Sequence, residues 1–137
     1  MIGKKSDVNK YEKTGLIHFP GRVSDEKAAS LFSEARALLF PGIEDLGLVP
    51  IEAQAAGCPV IAYKDGGALD TVIDNKTGIF FNEQTAASLI DAMDRFEAAL
   101  ENGSFLDRNV FTEHVRQFSP EAFKERINKT VVEKKRV

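Results

Sequence analysis

Short apolar runs alternate with segments of helical period along most of this chain, and that alternation restricts the possible folds more than any other feature. Ala37 to Phe40, Val60 to Tyr63 and Gly78 to Phe81 are brief and apolar throughout, as strands buried on both faces are. Leu16, Ile17 and Phe19 form a further run ended by Pro20-Gly21, which predicts a strand followed by a turn. Between these runs lie helix signals. Ser24 is placed to cap a helix, Asp25 and Glu26 suit its positive end, and Ala28, Leu31, Phe32 and Ala35 repeat at helical spacing. A second helix is predicted from about Val49 to Ala56. Pro50 stands in its first turn, Gly57 closes it, and Pro59 prevents its continuation. Asp65-Gly66-Gly67 then turns into a short helix through Val72 and Ile73.

Beyond Phe81 the pattern is helical only. Ala86, Leu89, Ile90, Met93 and Phe96 are expected on the apolar face of one long helix, and Val110, Phe111, Val115 and Phe118 on that of another. Ser119-Pro120-Glu121 starts a last helix carrying Phe123, Ile127 and Val131. Strands alternating with helices in this way predict an α/β fold, a doubly wound parallel sheet with C-terminal helices. Residues 1–102 are expected to form the sheet domain, and residues 103–137 to pack on it as helices. Residues 5–13 read as polar and weakly helical. Met1-Ile2-Gly3 reads as the tail of a strand, so the first β-α unit of such a sheet is expected to be missing.

At 137 residues, 43% hydrophobic and 28% charged, the chain has the balance of one globular domain. A net charge of −3 with both signs interspersed gives no reason to expect nucleic acid as the partner. Lys134-Lys135-Arg136 is the longest basic cluster, and at the end of a helix it reads as a solvated terminus. A single cysteine, Cys58, excludes an intramolecular disulfide and fits a reducing compartment. No run of about eighteen apolar residues exists to span a membrane, and the polar start has no signal-peptide core. The expected location is the cytoplasm.

The chemistry concentrates between Phe40 and Ala62, where strand, loop, helix and strand follow one another. Ligands of open α/β sheets bind at the carboxyl ends of the strands, and Glu44 lies in such a loop. Gly47, Leu48 and Val49 bring backbone N–H groups to a helix N-terminus, a natural phosphate site. Glu52 follows in that helix, by expectation in its first turn. A carboxylate does not face a phosphate usefully, so Glu52 is assigned to a neutral diol such as ribose, and Glu44 to a sugar ring. Taken singly these residues have plain readings: dipole complementarity for Glu52, a solvated loop for Glu44-Asp45, a turn for Gly66-Gly67. Their joint arrangement carries the argument. His18 and His114 have no acid or cysteine spaced for a triad or a metal site and read as structural. Cys58 follows a helix C-terminus, where a thiolate is disfavoured. Lys64 ends a strand on the ligand side, where a solvated lysine is the plain reading. No metal site is expected.

Glu44 and Glu52, with Phe40-Pro41 before them, Gly47-Leu48 between and Gly57-Cys58-Pro59-Val60-Ile61-Ala62 after, closely resemble the E-x7-E region of the glycosyltransferase group 1 family. Gly21-Arg22-Val23, Gly66-Gly67 and Thr77-Gly78 continue the resemblance, which covers about residues 15 to 100. Glu-Asp-Leu-Gly-Leu-Val-Pro-Ile-Glu-Ala-Gln-Ala over residues 44–55 and Phe118-Ser119-Pro120-Glu121-Ala122-Phe123 look most like its mannosyltransferase branch. The resemblance implies the Rossmann-like half of a retaining GT-B enzyme. It implies that Glu44 contacts the transferred sugar, that Gly47, Leu48 and Val49 offer N–H groups to the distal phosphate and sugar, and that Glu52 holds the ribose. Arg22 and Val23 are implied near the base. The donor implied is a nucleoside-diphosphate sugar, with GDP-mannose the candidate, used without a metal or other cofactor. Where the family usually has Glu, this chain has Asp70, one methylene shorter. The family's upstream Arg and Lys that grip the diphosphate have no counterpart here. The N-terminal, acceptor-binding GT-B domain is thus an expected partner, and the chain alone is expected to be inactive. The alternative is a non-catalytic nucleotide- or partner-binding module from a split or degenerate gene.

Overall fold

The computed structural model describes residues 13–105 and 107–135. The predicted strand tail at Met1-Ile2-Gly3 lies outside the described residues, as does nearly all of the weak helix expected over residues 5–13. In chain order the elements are α1 (Asp25–Glu34), β1 (Leu38–Phe40), α2 (Leu48–Ala55), β2 (Val60–Tyr63), α3 (Ala68–Thr71), β3 (Gly78–Phe81), α4 (Ala86–Glu101), α5 (Arg108–Arg116) and α6 (Pro120–Lys135). The three strands are parallel and lie in the order β1-β2-β3. Leu38 sits opposite Val60, and Val60 opposite Gly78. The predicted α/β architecture holds.

Strand alternation sends successive side chains to opposite faces. On one face Phe40, Val60, Ala62 and Phe80 meet Ala68 and Val72. On the other Ile61, Ile79 and Phe81 meet Ala92 and Phe96 of α4. Burying a side chain such as Phe81 or Ile79 is worth about 1.5–3 kcal/mol, so both layers stabilise the sheet. α5 packs against α2, and α1 also rests on α2.

Three expectations are corrected. Leu16, Ile17 and Phe19 form no strand: the stretch is irregular, Leu16 is 85% exposed, and among the described residues no strand lies alongside to pair with it. In α4 the inward residues are Ala92 and Phe96, with Leu89 and Ala99 beside them, while Ile90 is 57% and Met93 40% exposed. The small Ala92 lets the helix approach the strands closely, which turns Ile90 and Met93 outward. In α1 no residue is fully buried, and Leu31 faces solvent.

The Ser24 signal acts as anticipated, whereas Phe118 lies beyond the end of α5. The Ser24 hydroxyl caps α1 by accepting the Lys27 N–H. Thr85 caps α4 and Asp107 caps α5 in the same manner. On α6 the expected apolar residues Phe123, Ile127 and Val131 are all exposed. No helix among the described residues is long and apolar enough to cross a membrane.

Candidate functional site

The loop between β1 and α2, residues 41–47, leaves the sheet at the carboxyl end of its strands. Its position is set by main-chain contacts. The Gly67 N–H donates to the Glu44 carbonyl at 2.7 Å, joining this loop to the turn that follows β2. A side chain at Gly67 is impossible without a shift, because its Cβ would lie 2.6 Å from Asp45 O and from the Leu46 backbone. From the far side, Gln84 Nε2 donates to the Pro41 carbonyl at 2.9 Å. The Asp65 carboxylate accepts the Gly66 N–H at 2.7 Å, which shapes the turn itself.

Gly47 ends the loop as the N-cap of α2, with φ 74°, a conformation natural to glycine. Among the described residues no side chain caps this helix. The N–H groups of its first turn therefore point out beside the Glu44 loop, with the positive end of the helix dipole behind them. Leu48 is 61% exposed, and Val49 is exposed too. Glu52 is exposed in the second turn of α2, whose first turn carries no acid. This corrects the expected first-turn position. The helix starts at Leu48, one residue early, because the αL conformation of Gly47 already directs the chain into it. Glu52 thus stands four residues, about 6 Å along the axis, from the first N–H groups.

Glu52 has neighbours that the sequence analysis did not assign to it. A pocket of about 320 Å³ between α1 and α2 is lined by Glu52 and Ala55 on one side and by Asp25, Ala28, Ala29 and Phe32 on the other. The signal was present as the i, i+3, i+4, i+7 spacing of Asp25, Ala28, Ala29 and Phe32. Arg22 is exposed and Val23 half-buried, just ahead of α1. No described contact joins either to Glu44, but both lead directly into the helix that carries Asp25. Asp70 is exposed on α3 behind the glycine turn, and Lys64 is exposed just after β2. On the α6 side, a cleft of about 440 Å³ lined by Leu46, Leu48, Ile51 and Phe123 borders the start of α2. A cavity of about 590 Å³ lined by Ile73, Lys76, Phe105 and His114 lies at the amino end of β3, away from these residues.

A buried polar cluster stands behind α2. Gln54 Nε2 donates to the Pro50 carbonyl at 2.9 Å and to the Thr71 carbonyl at 2.7 Å. His114 Nε2 lies 2.8 Å from the same Thr71 carbonyl, and its Nδ1 lies 2.9 Å from Gln117 Nε2. A neutral ring protonated on Nε2 satisfies both contacts. The Thr71 hydroxyl donates to the Gly67 carbonyl at 2.9 Å. Thus α5, α2 and the glycine turn are fixed to one another by directed bonds. His114 is structural, as expected, and Gln54 and Thr71 were not singled out beforehand. Burial pushes the Cys58 thiol up, with only a partial offset from hydrogen bonding at Leu38, so it stays protonated. Glu26 is held below the usual carboxylate range by its own backbone N–H and then by the Ser24 hydroxyl. Among the described residues no three His, Cys, Asp or Glu side chains are grouped to hold a metal ion.

The family model described as "Glycosyl transferases group 1" matches residues 3–118. The human protein "Alpha-1,3/1,6-mannosyltransferase ALG2" is 31% identical over 93% of this chain, which spans 30% of that protein. A "Glycogen synthase" of Pseudomonas syringae is 38% identical over 56% of the chain and 17% of its own length. Sucrose-phosphate synthase from Thermosynechococcus elongatus shares the fold with a TM-score of 0.77 at 30% identity, over 94% of this chain and 33% of the synthase. The chain therefore spans about a third or less of the relatives it matches. A family match over most of its residues, joined to a shared GT-B fold, makes this chain a member of the glycosyl transferases group 1 family.

Proposed function

We propose that the chain is the donor-binding part of a retaining glycosyltransferase that moves a hexose from a nucleoside-diphosphate sugar to a saccharide or lipid acceptor. One observation supports this above the others. The Glu44 loop is fastened through its backbone beside the uncapped start of α2, with Glu52 one turn further along. An anion suits the helix start, a diol suits each carboxylate, and the order along α2 matches sugar, diphosphate and ribose. The helix end would stabilise negative charge developing on the departing diphosphate, with no need for a metal. Glu44 is the residue that would touch the transferred sugar. Gly47, Leu48 and Val49 would hold the phosphate, and Glu52 the ribose. The human relative, named as a mannosyltransferase, favours mannose as the hexose. The acceptor would be held by a further domain, in the same polypeptide or in a second one. A cytoplasmic setting goes with the single reduced Cys58.

Titration calorimetry with nucleoside diphosphates tests the reading. Glu52→Ala is expected to weaken binding by about tenfold or more, since hydrogen bonds to a charged group contribute about 1.5–3 kcal/mol. Unchanged affinity in that variant would remove Glu52 from the site and overturn the assignment.

A further inference from the structure

We infer that the Thr71 hydroxyl positions the Glu44 loop against the start of α2, so that Thr71 governs binding of the donor's sugar but not of its nucleoside diphosphate. This rests on the reading of Glu44 and α2 as the donor site. Among the described residues the loop is held from outside at two carbonyls, Pro41 by Gln84 and Glu44 by the Gly67 N–H. The second of these lies on the residue that would meet the sugar. Whatever fixes Gly67 therefore fixes Glu44.

The glycine turn by itself gives little hold. α3 is four residues long, too short to be stable alone. Gly66 and Gly67 have no side chain to wedge in place, and a Cβ on Gly66 would lie 2.7 Å from the Glu44 carbonyl oxygen. Thr71, fully buried, supplies a fixed point at the other end of α3. Its carbonyl accepts from Gln54 Nε2 of α2 at 2.7 Å and lies 2.8 Å from His114 Nε2 of α5. Its hydroxyl reaches back one turn and donates to the Gly67 carbonyl at 2.9 Å. One residue thus joins the two helices behind the site to the glycine that holds the loop. A threonine hydroxyl bonded to the carbonyl four residues back is ordinary in a helix and has only a slight effect there. Here the acceptor belongs to the residue whose N–H holds Glu44, so the bond has a consequence outside α3.

The phosphate end of the site does not depend on this bond. The start of α2 is formed by Gly47 in its left-handed conformation, and Gln54 Nε2 holds the Pro50 carbonyl at 2.9 Å from within the same helix. Loss of the Thr71 hydroxyl also leaves no orphan, because the Gly67 carbonyl still accepts the Asp70 and Thr71 N–H groups, each at 3.1 Å. What is lost is the aim of the turn. Hydrogen bonds from sugar hydroxyls to a carboxylate weaken steeply with angle, so a small displacement of Glu44 is felt by the sugar and not by the diphosphate.

The test titrates the full chain, Thr71→Val and Thr71→Ser with GDP and GDP-mannose and with UDP and UDP-glucose, with circular dichroism to verify folding. Valine keeps the branched shape without the hydroxyl, and serine keeps the hydroxyl. Thr71→Ala, which also lacks it, replaces the valine variant if that one unfolds. The native chain is expected to bind one nucleotide sugar more tightly than the matching diphosphate. Thr71→Val is expected to lose about threefold to tenfold in affinity for that nucleotide sugar, the scale of one net hydrogen bond, and to hold the diphosphate within about twofold. Thr71→Ser is expected to restore the native values. A sugar preference that survives removal of the hydroxyl, a loss shared equally by sugar and diphosphate, or one that serine does not restore overturns the positioning role alone. Native affinity that is the same with and without the sugar removes Glu44 from the sugar site and the inference with it. Absence of any nucleotide binding by the folded native chain overturns the donor-site reading as a whole.

Discussion

Behind one face of the sheet, Ile61, Ile79 and Phe81 meet Ala92 and Phe96 of α4 in a purely apolar layer. In front of the other face, the apolar layer around Val60 and Phe80 gives way to Gln54, Thr71 and His114, all buried, with Gln54 and His114 both on the Thr71 carbonyl. Apolar burial is non-directional: it holds α4 down without dictating its position to a fraction of an ångström. Hydrogen bonds are directional, and the front cluster ties α5, α2 and the glycine turn at defined distances. The candidate site lies on the front side. The back layer is held by apolar burial alone, and the front by apolar burial and directed bonds together.

The largest expected effect lies on the apolar side. Phe81→Ala removes a ring that is 1% exposed and is expected to cost about 3–5 kcal/mol in denaturant unfolding. A loss below about 1 kcal/mol would remove the asymmetry between the faces. Next comes Gly67→Ala, whose new methyl would lie 2.6 Å from Asp45 O. It is expected to cost about 1–3 kcal/mol and, by displacing the Glu44 loop, to weaken nucleotide-sugar binding as well. Stability lost without any change in that affinity would separate the turn from the site.

A smaller effect follows from Cys58, which is buried beside the sheet. Its thiol pKa is raised in the folded chain, so between the unfolded and folded values the native state holds a proton that the unfolded state has released. Stability is therefore full below about pH 8.5 and falls as pH rises above it. Cys58→Ala should flatten that decline in thermal melts across pH 7 to 10, and an identical slope would refute the assignment. The smallest effect is predicted for Gln54→Met. It loses two donated bonds but also removes the buried Oε1, which has no partner among the described residues, and the Thr71 carbonyl keeps His114. A net change within about 1 kcal/mol is expected. A loss above about 3 kcal/mol would mean that Oε1 is satisfied by an internal water.

The sheet was legible because β2 and β3 carry their burial in their composition: Val60 to Tyr63 and Gly78 to Phe81 are where the apolar runs stand. Local signals did as well, since Ser24 and Gly47 act through their immediate neighbours. Residues that depend on distant partners were harder to read. Leu16 to Phe19 has strand composition, but a strand exists only when another pairs with it. The inner face of α4 turns on Ala92, whose small size matters only against the sheet. Gln54, Thr71 and His114 lie far apart in sequence, so their cluster has no local pattern. For the site, Glu44, Gly47 and Glu52 were visible through their spacing. Asp25 was read as a dipole partner because its pocket forms only once α1 lies on α2.

The bond from the Gly67 N–H to the Glu44 carbonyl involves no side chain of either residue. The address of residue 44 is therefore written in main-chain atoms, while the group displayed there is free to vary. On the sugar-contacting role proposed for Glu44, a lineage could exchange that side chain, and with it the hydroxyl pattern it prefers, without rebuilding the perch. Drift in sugar preference would then leave no trace in the shape of the fold, provided that the paired glycines stay small.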